Sequence, residues 1–354
     1  MTKAELDSIK ILPLEDSWYR RVKEKLDGIA KPLDGLGKFE HLIAQIGAIE
    51  KTTKISIQKK AVLVMCADNG VVEEQVSQSG KEVTLAVAKA MGVNNSSVGK
   101  MAAVAGVDVI PVDIGIDTDE VIPGVLPRKV AKGTKNFARE PAMTEEEVLK
   151  AIETGIQRVQ QCRGEGYEIL ATGEMGIGNT TTSTAVAAAL LDLEVEQVTG
   201  KGAGLTDEAL KRKCRVIEEA IEKYSLRDAD AFTILKAVGG LDIAGLTGVF
   251  IGAAIEQIPV VIDGVISAVA ALLAETLCKG AVNYMIPSHK SRELAETAIM
   301  KKLHLDPVLD ADMALGEGTG AVMMMSLLDV ALGVYLKGAS FANFEIEQYK
   351  RYEE

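Results

Sequence analysis

The run Ala61-Val62-Leu63-Val64-Met65-Cys66 constrains this chain more than any other segment. It is continuously apolar and short, so it fits a strand buried on both faces, as in a parallel sheet. Such a strand needs helices on either side of its sheet, which sets the class as α/β. Similar short segments recur at Val107 to Val112, Glu168 to Thr172, Pro259 to Ile262 and about Ala281 to Ile286, with helical stretches between them. The expected architecture is a mostly parallel sheet flanked by helices.

Composition narrows the function. Of 354 residues, 47% are hydrophobic but only 4% aromatic, so the core is aliphatic. The net charge of −12 repels a phosphate polymer and argues against a nucleic-acid partner. An anionic substrate would need local positive potential from helix N-termini, backbone amides or a placed lysine. Cys66, Cys162, Cys214 and Cys278 are scattered without CxxC spacing, which predicts reduced thiols and a cytoplasmic protein, with neither disulfide frame nor zinc site. The N-terminus lacks the apolar core of a signal peptide. The most apolar long stretch, Ile258 to Cys278, carries Asp263 and Glu275 and reads as strand plus core helix, with no membrane span.

Along the chain, residues 1–50 are helical and amphipathic, broken by the loop Lys31-Pro32-Leu33-Asp34-Gly35-Leu36-Gly37. The first strand runs into Ala67-Asp68-Asn69-Gly70-Val71, where an open α/β sheet places ligands, although an ordinary βα turn reads the same way. A helix is expected from about Val83 to Met91, and Asn94 to Ser97 caps the next. Residues 118–143 lack periodicity and predict an excursion over the C-terminal edge of the sheet. Thr144 with Glu147 forms a capping box. Helices are expected again at about 291–302, 319–337 and 342–354. Strands are thus confined to a large domain, 55–295, and the two ends, 1–54 and 296–354, are expected to pack together as a small helical unit.

Three glycine-rich loops carry the chemistry. Gly173-Glu174-Met175-Gly176-Ile177-Gly178-Asn179-Thr180-Thr181 lies between a buried strand and an Ala-rich helix. It makes a nest of amides for one anion at a helix N-terminus, or a cap with packing glycines. It is neither a Walker loop nor GxGxxG, because the lysine and the glycine spacing are wrong. Gly200-Lys201-Gly202-Ala203-Gly204-Leu205-Thr206-Asp207 is the second, with Lys213 in the helix beyond it, a residue whose like-charged neighbours also suit a solvated face. Leu315-Gly316-Glu317-Gly318-Thr319-Gly320-Ala321 is the third, ahead of a buried helix with Thr319 as expected N-cap. A carboxylate held there beside apolar side chains makes a general base; a solvated turn is the alternative. His289, at a strand end, reads as a base or as a hydrogen-bonded structural residue.

Lys31–Glu40, Ala67–Val71, Gly173–Thr181, Gly202–Asp207, Val238–Ile243, Asp263–Gly264, Ser288–Ser291 and Leu315–Ala321 occur in the order found in the nicotinate-nucleotide–dimethylbenzimidazole phosphoribosyltransferases, and over nearly its whole length the chain resembles that family. The resemblance implies a Rossmann-like sheet, a small helical domain from both chain ends, and a cytoplasmic homodimer. It also implies transfer of phosphoribose from nicotinate mononucleotide to a benzimidazole-type base in cobamide lower-ligand synthesis. By that likeness Glu317 is the base and Glu174 supports the ribose. Gly176, Ile177, Gly178, Asn179 and Thr180, with Lys213, hold the 5′-phosphate, and Gly202 and Gly204 bind substrate. Gly264 and Ser291 line the nucleotide pocket, and Met175, Leu315 and Thr84 form a slot for the flat base. No cofactor or metal is called for. Two positions depart from the pattern: Asn69 stands where many members carry His, and Leu85 lies where a polar residue is expected. A purine or phenolic acceptor on the same fold, and a non-catalytic nucleotide sensor, remain alternatives.

Overall fold

The computed structural model describes residues 1–202 and 204–351. Among them, six parallel strands form one sheet in the order β3-β2-β1-β4-β5-β6. They are β1 (Lys60–Ala67), β2 (Val107–Gly115), β3 (Leu126–Pro127), β4 (Ile169–Met175), β5 (Val260–Ile262) and β6 (Met285–Pro287). The chain reverses direction of winding between β1 and β4, so the crevice beyond their C-terminal ends is where this topology receives a ligand.

The helices are α1 (Lys3–Asp7), α2 (Asp16–Asp27), α3 (Lys38–Ile49), α4 (Glu82–Gly92), α5 (Ser97–Ala105), α6 (Glu145–Gly164) and α7 (Asn179–Leu191). They continue with α8 (Val195–Val198), α9 (Asp207–Lys223), α10 (Ala231–Val238), α11 (Leu241–Ile255), α12 (Val265–Leu277), α13 (Ala295–Leu303) and α14 (Thr319–Lys337). Both faces of the sheet are covered, and β1 shows it residue by residue. Leu63 and Met65 join the core with α6, α11 and α12, whereas Val62 and Val64 join the core with α3, α5 and α14. Each such fully buried aliphatic side chain stabilises the fold by about 1.5–3 kcal/mol. α11 is apolar all round and lies buried against α6, where a Cβ on Gly155 would collide with the backbone of Gly245 and Gly248.

α6 starts as expected, with the Thr144–Glu147 capping box formed. Helices from the two chain ends meet: Ile29 bridges Ser340, and Arg351 pairs with Asp27 and Asp34. α14 is long and apolar enough to cross a membrane, but more than half of it is buried inside the protein.

Several expectations need correction. β4 continues to Met175, so Glu174 and Met175 belong to the strand and not to the loop. Residues 281–284 form a 3-10 turn, and only 285–287 pair as a strand. The excursion 118–143 contributes the edge strand β3, too short to leave a periodicity. Beyond the 3-10 turn Phe341–Phe344, residues 345–351 are not helical, and 352–354 lie outside the described residues. Thr319 is not the N-cap of α14. Gly318 is, with φ +91°, and no side chain of its own segment caps the helix.

Candidate functional site

A cavity of about 280 Å³ opens beyond the C-terminal ends of β4, β5 and β6, beside the switch point. Its wall includes Glu174, Met175, Gly176, Ile177, Asn179, Thr180, Gly202, Gly264, Ser291, Leu315 and Glu317, all singled out from sequence. Gly178, Gly204, Lys213 and Thr84 are not on that wall. The nest Gly176–Thr180 therefore faces a cavity that Glu317 also lines, although the two segments are far apart in sequence.

The nest is built by α7. Gly178 takes φ +93° as N-cap, a conformation in which a β-carbon is strained, and among the first residues of α7 it leaves Thr180, whose N–H has no backbone acceptor among the described residues, on the cavity wall. Lys213 backs this helix end. It is fully buried, and its Nζ donates to Thr180 Oγ1 at 3.0 Å and to the Gly200 carbonyl at 3.2 Å. Burial pulls its pKa down to about 8, with Glu293 opposing that shift. The solvated-face alternative for Lys213 is thus excluded. Thr84, expected in the apolar slot, is fully buried instead. Its Oγ1 accepts the Ile177 N–H at 3.1 Å and so fixes the nest, and Val87, one turn on, is the residue of α4 on the wall. The Gly204 carbonyl accepts from Gln78 Nε2, joining two loops at the rim.

Glu317 is half-buried with φ +60°, in a loop pressed against β4. Its surroundings are less apolar than expected. The Val98 N–H, in the first turn of α5, donates to its Oε2 at 3.0 Å. A helix N-terminus thus orients the carboxylate. The α14 end is held by Asp263, which accepts the Gly318 N–H at 3.2 Å and the Ala321 N–H at 3.0 Å. Burial raises Asp263 to about 6, against the pull of these amides.

Glu174 is the carboxylate that burial perturbs most at this end of the sheet. Desolvation first, then the charge of Asp242, pushes it up to about 8. Asn179 Nδ2 donates to Glu174 Oε2 and, at 3.2 Å, to Asp242 Oδ2. Asn179 therefore sits in the nest yet spends its side-chain amide on two carboxylates. His289 lines the cavity as a neutral imidazole: burial lowers its pKa, and Nδ1 pairs with Ser288 Oγ at 2.9 Å. The imidazole packs so closely against Gly320 that no β-carbon fits there, which favours the structural alternative.

Asp263, Glu293 and the first turn of α12, Val265 to Ser267, also line the cavity without having been given a role from sequence. Asp263–Gly264 was noticed as a motif, but Asp263 caps a helix more than fifty residues downstream, and no local pattern reveals such a partner. Ser267, the one hydroxyl in the first two turns of the apolar α12, is the signal the sequence offers there.

Comparisons with known proteins identify the family. A family model described as "Phosphoribosyltransferase" matches residues 11–346. The chain is 43% identical to the nicotinate-nucleotide–dimethylbenzimidazole phosphoribosyltransferase of Clostridium acetobutylicum, covering 95% of this chain and 96% of that one. It is 44% identical to the enzyme of the same name from Acetivibrio thermocellus, covering 93% and 94%. The crystal structure of CobT from Thermus thermophilus superposes with a TM-score of 0.89 at 34% identity, covering 94% of this chain and all of that one. The chain belongs to the nicotinate-nucleotide–dimethylbenzimidazole phosphoribosyltransferase family.

Proposed function

We propose that the chain transfers phosphoribose from nicotinate mononucleotide to 5,6-dimethylbenzimidazole or a similar azole, releasing nicotinate and an α-ribazole 5′-phosphate. The observation that carries this reading is one cavity lined both by an anion-binding helix N-terminus and by an oriented carboxylate. The 5′-phosphate takes the Thr180 amide, with Lys213 adding charge through the Thr180 hydroxyl. An acidic protein thereby binds an anion locally.

In the reaction, one azole nitrogen attacks the anomeric carbon with its lone pair. The bond from that carbon to the pyridinium nitrogen breaks, and its electron pair leaves with nicotinate. The leaving nitrogen becomes neutral, so no general acid is required. Attack from the opposite face converts a β-nucleotide into an α-nucleotide. The N–H proton of the azole goes to Glu317. Met175 and Leu315 flank the flat base, and Glu174 faces the ribose. Gly264 and Ser291 complete the nucleotide wall.

The same reading has the protein cytoplasmic and homodimeric, with residues 1–54 and 296–354 as the small helical unit. Exposed Val104 on α5 and Val330 on α14 supply apolar surface for a second copy, and light scattering of the purified protein reads the mass. The test of function is to mix protein, nicotinate mononucleotide and dimethylbenzimidazole and to measure nicotinate. Release is expected from wild type and is expected to fall about 10²- to 10⁴-fold in Glu317→Gln. No release by wild type, or undiminished release by the variant, overturns the assignment.

A further inference from the structure

Three carboxylates, Glu174, Asp242 and Asp263, are buried around the ends of β4 and β5, and among the described residues none of them forms an ion pair with Lys, Arg or His. Charges so placed cannot all be ionised without a large desolvation cost, so protons must be shared. The hydrogen bonds decide where a proton goes. Asp263 accepts two backbone amides at the N-terminus of α14. Asp242 stands at the N-terminus of α11, and its Oδ1 accepts the Ile243 N–H at 2.9 Å. Among the described residues Glu174 accepts only from the Asn179 amide, which it shares with Asp242. It is thus the least stabilised anion of the three.

The surroundings are built around Asp242. A Cβ on Gly176 would stand 2.6 Å from Asp242 Oδ2, and one on Gly240 would strike Asp242 Oδ1. Asp242 is fully buried and absent from the cavity wall, so it does not meet substrate. Glu174 is on the wall, with Oε2 turned to Asn179 and Oε1 toward Gly316, where a Cβ would come within 2.6 Å of it. The groups facing Glu174 are Asp242 from α11, Asp263 from the end of β5, Glu317 from the loop before α14, and the Cys66 thiol from β1. None of these brings a positive charge.

We propose that Asp242 is a positioning residue which, bridged by Asn179, holds a proton on Glu174, so that Glu174 meets the substrate as a neutral hydrogen-bond donor and not as a second anion. This rests on the reaction assigned above. It separates the two glutamates by function: Glu317 accepts the azole proton, and Glu174 Oε1–H donates to an oxygen of the bound ribose phosphate.

The test reads kcat against pH at saturating nicotinate mononucleotide, so that loss of phosphate binding through Lys213 appears in KM instead. Wild-type kcat should fall as pH passes about 8, the value to which burial and Asp242 raise Glu174. In Asp242→Asn, loss of the neighbouring charge lowers the Glu174 pKa, and the fall should begin about one pH unit or more lower. In Glu174→Gln the fall should vanish, whatever rate remains. A readout without turnover accompanies these: infrared difference spectra at pH 7 should show a protonated-carboxyl stretch in wild type that Glu174→Gln lacks, and this arm stands if Asp242→Asn does not fold. A kcat that rises through pH 8, an unshifted profile in folded Asp242→Asn, or identical infrared spectra would overturn the proposal. Failure of wild type to release nicotinate at all would instead remove the reaction and leave the infrared result intact.

Discussion

A Cβ built on Gly173 would stand 2.6 Å from the carbonyl oxygen of Glu317. Strand β4 and the loop bearing the proposed base are therefore in direct backbone apposition. Gly173→Ala should push that loop outward while leaving the nest and Lys213 in place. The expected result is a kcat reduced by about 10²-fold, with KM for nicotinate mononucleotide changed far less. Steady-state kinetics on the folded variant check this split.

Lys213 gives a pH dependence with the opposite kinetic signature. Its pKa is lowered to about 8, so it is charged below that pH and loses its proton above it. KM for nicotinate mononucleotide should rise as pH passes 8. Lys213→Met should raise KM at pH 7 by about tenfold, in line with losing one charge-assisted contact, and flatten this part of the profile. Isothermal titration with the mononucleotide measures the same effect on binding.

Glu296 affects stability and not chemistry. It is buried on α13, accepts the Ser291 N–H, and burial raises it to about 8 from an ordinary value of 4.5. Because its folded pKa lies above the unfolded one, its contribution is fully present below pH 4.5 and is lost as pH rises to about 8. Glu296→Gln carries no such loss. The melting temperature of the variant relative to wild type should therefore climb across that window and level off above it, by about 3 °C or more. Thermal scans at pH 5, 7 and 9 are the measurement.

The sheet was legible where the physics is local. β1 could be read because a strand buried on both faces must be apolar throughout, and its alternating residues do enter two different cores. β3 could not, since two residues show no period, and β6 is expected but with a start four residues early, because the apolar 3-10 turn before it reads like a strand. The end of β4 is hidden because Gly173 and Glu174 look like loop punctuation, whereas Gly173 is a glycine to admit another backbone and the strand runs through Glu174 to Met175.

The candidate site divides in the same way. The nest and the Glu317 loop stand out because glycines cluster there. What holds them is invisible in sequence: Asp263 capping α14, the Val98 amide on Glu317, and Asn179 bridging two carboxylates are all long-range hydrogen bonds. Thr84 was picked for the right region and the wrong task.

The Asp263 cap has a consequence for tolerance to insertion. The end of α14 is clamped to the end of β5 by two amide bonds, so the start of that helix is positioned by the sheet and not by the residues leading into it. The segment 304–314 between α13 and α14 is tied to residues 288–292 through the backbones of Val308, Leu309 and Met313, and residues 310–312 between those ties are exposed. An insertion within the exposed residues 310–312, between these ties, leaves the clamp on α14 and hence Glu317 in place, so the rim can vary there while the reacting centre keeps its geometry.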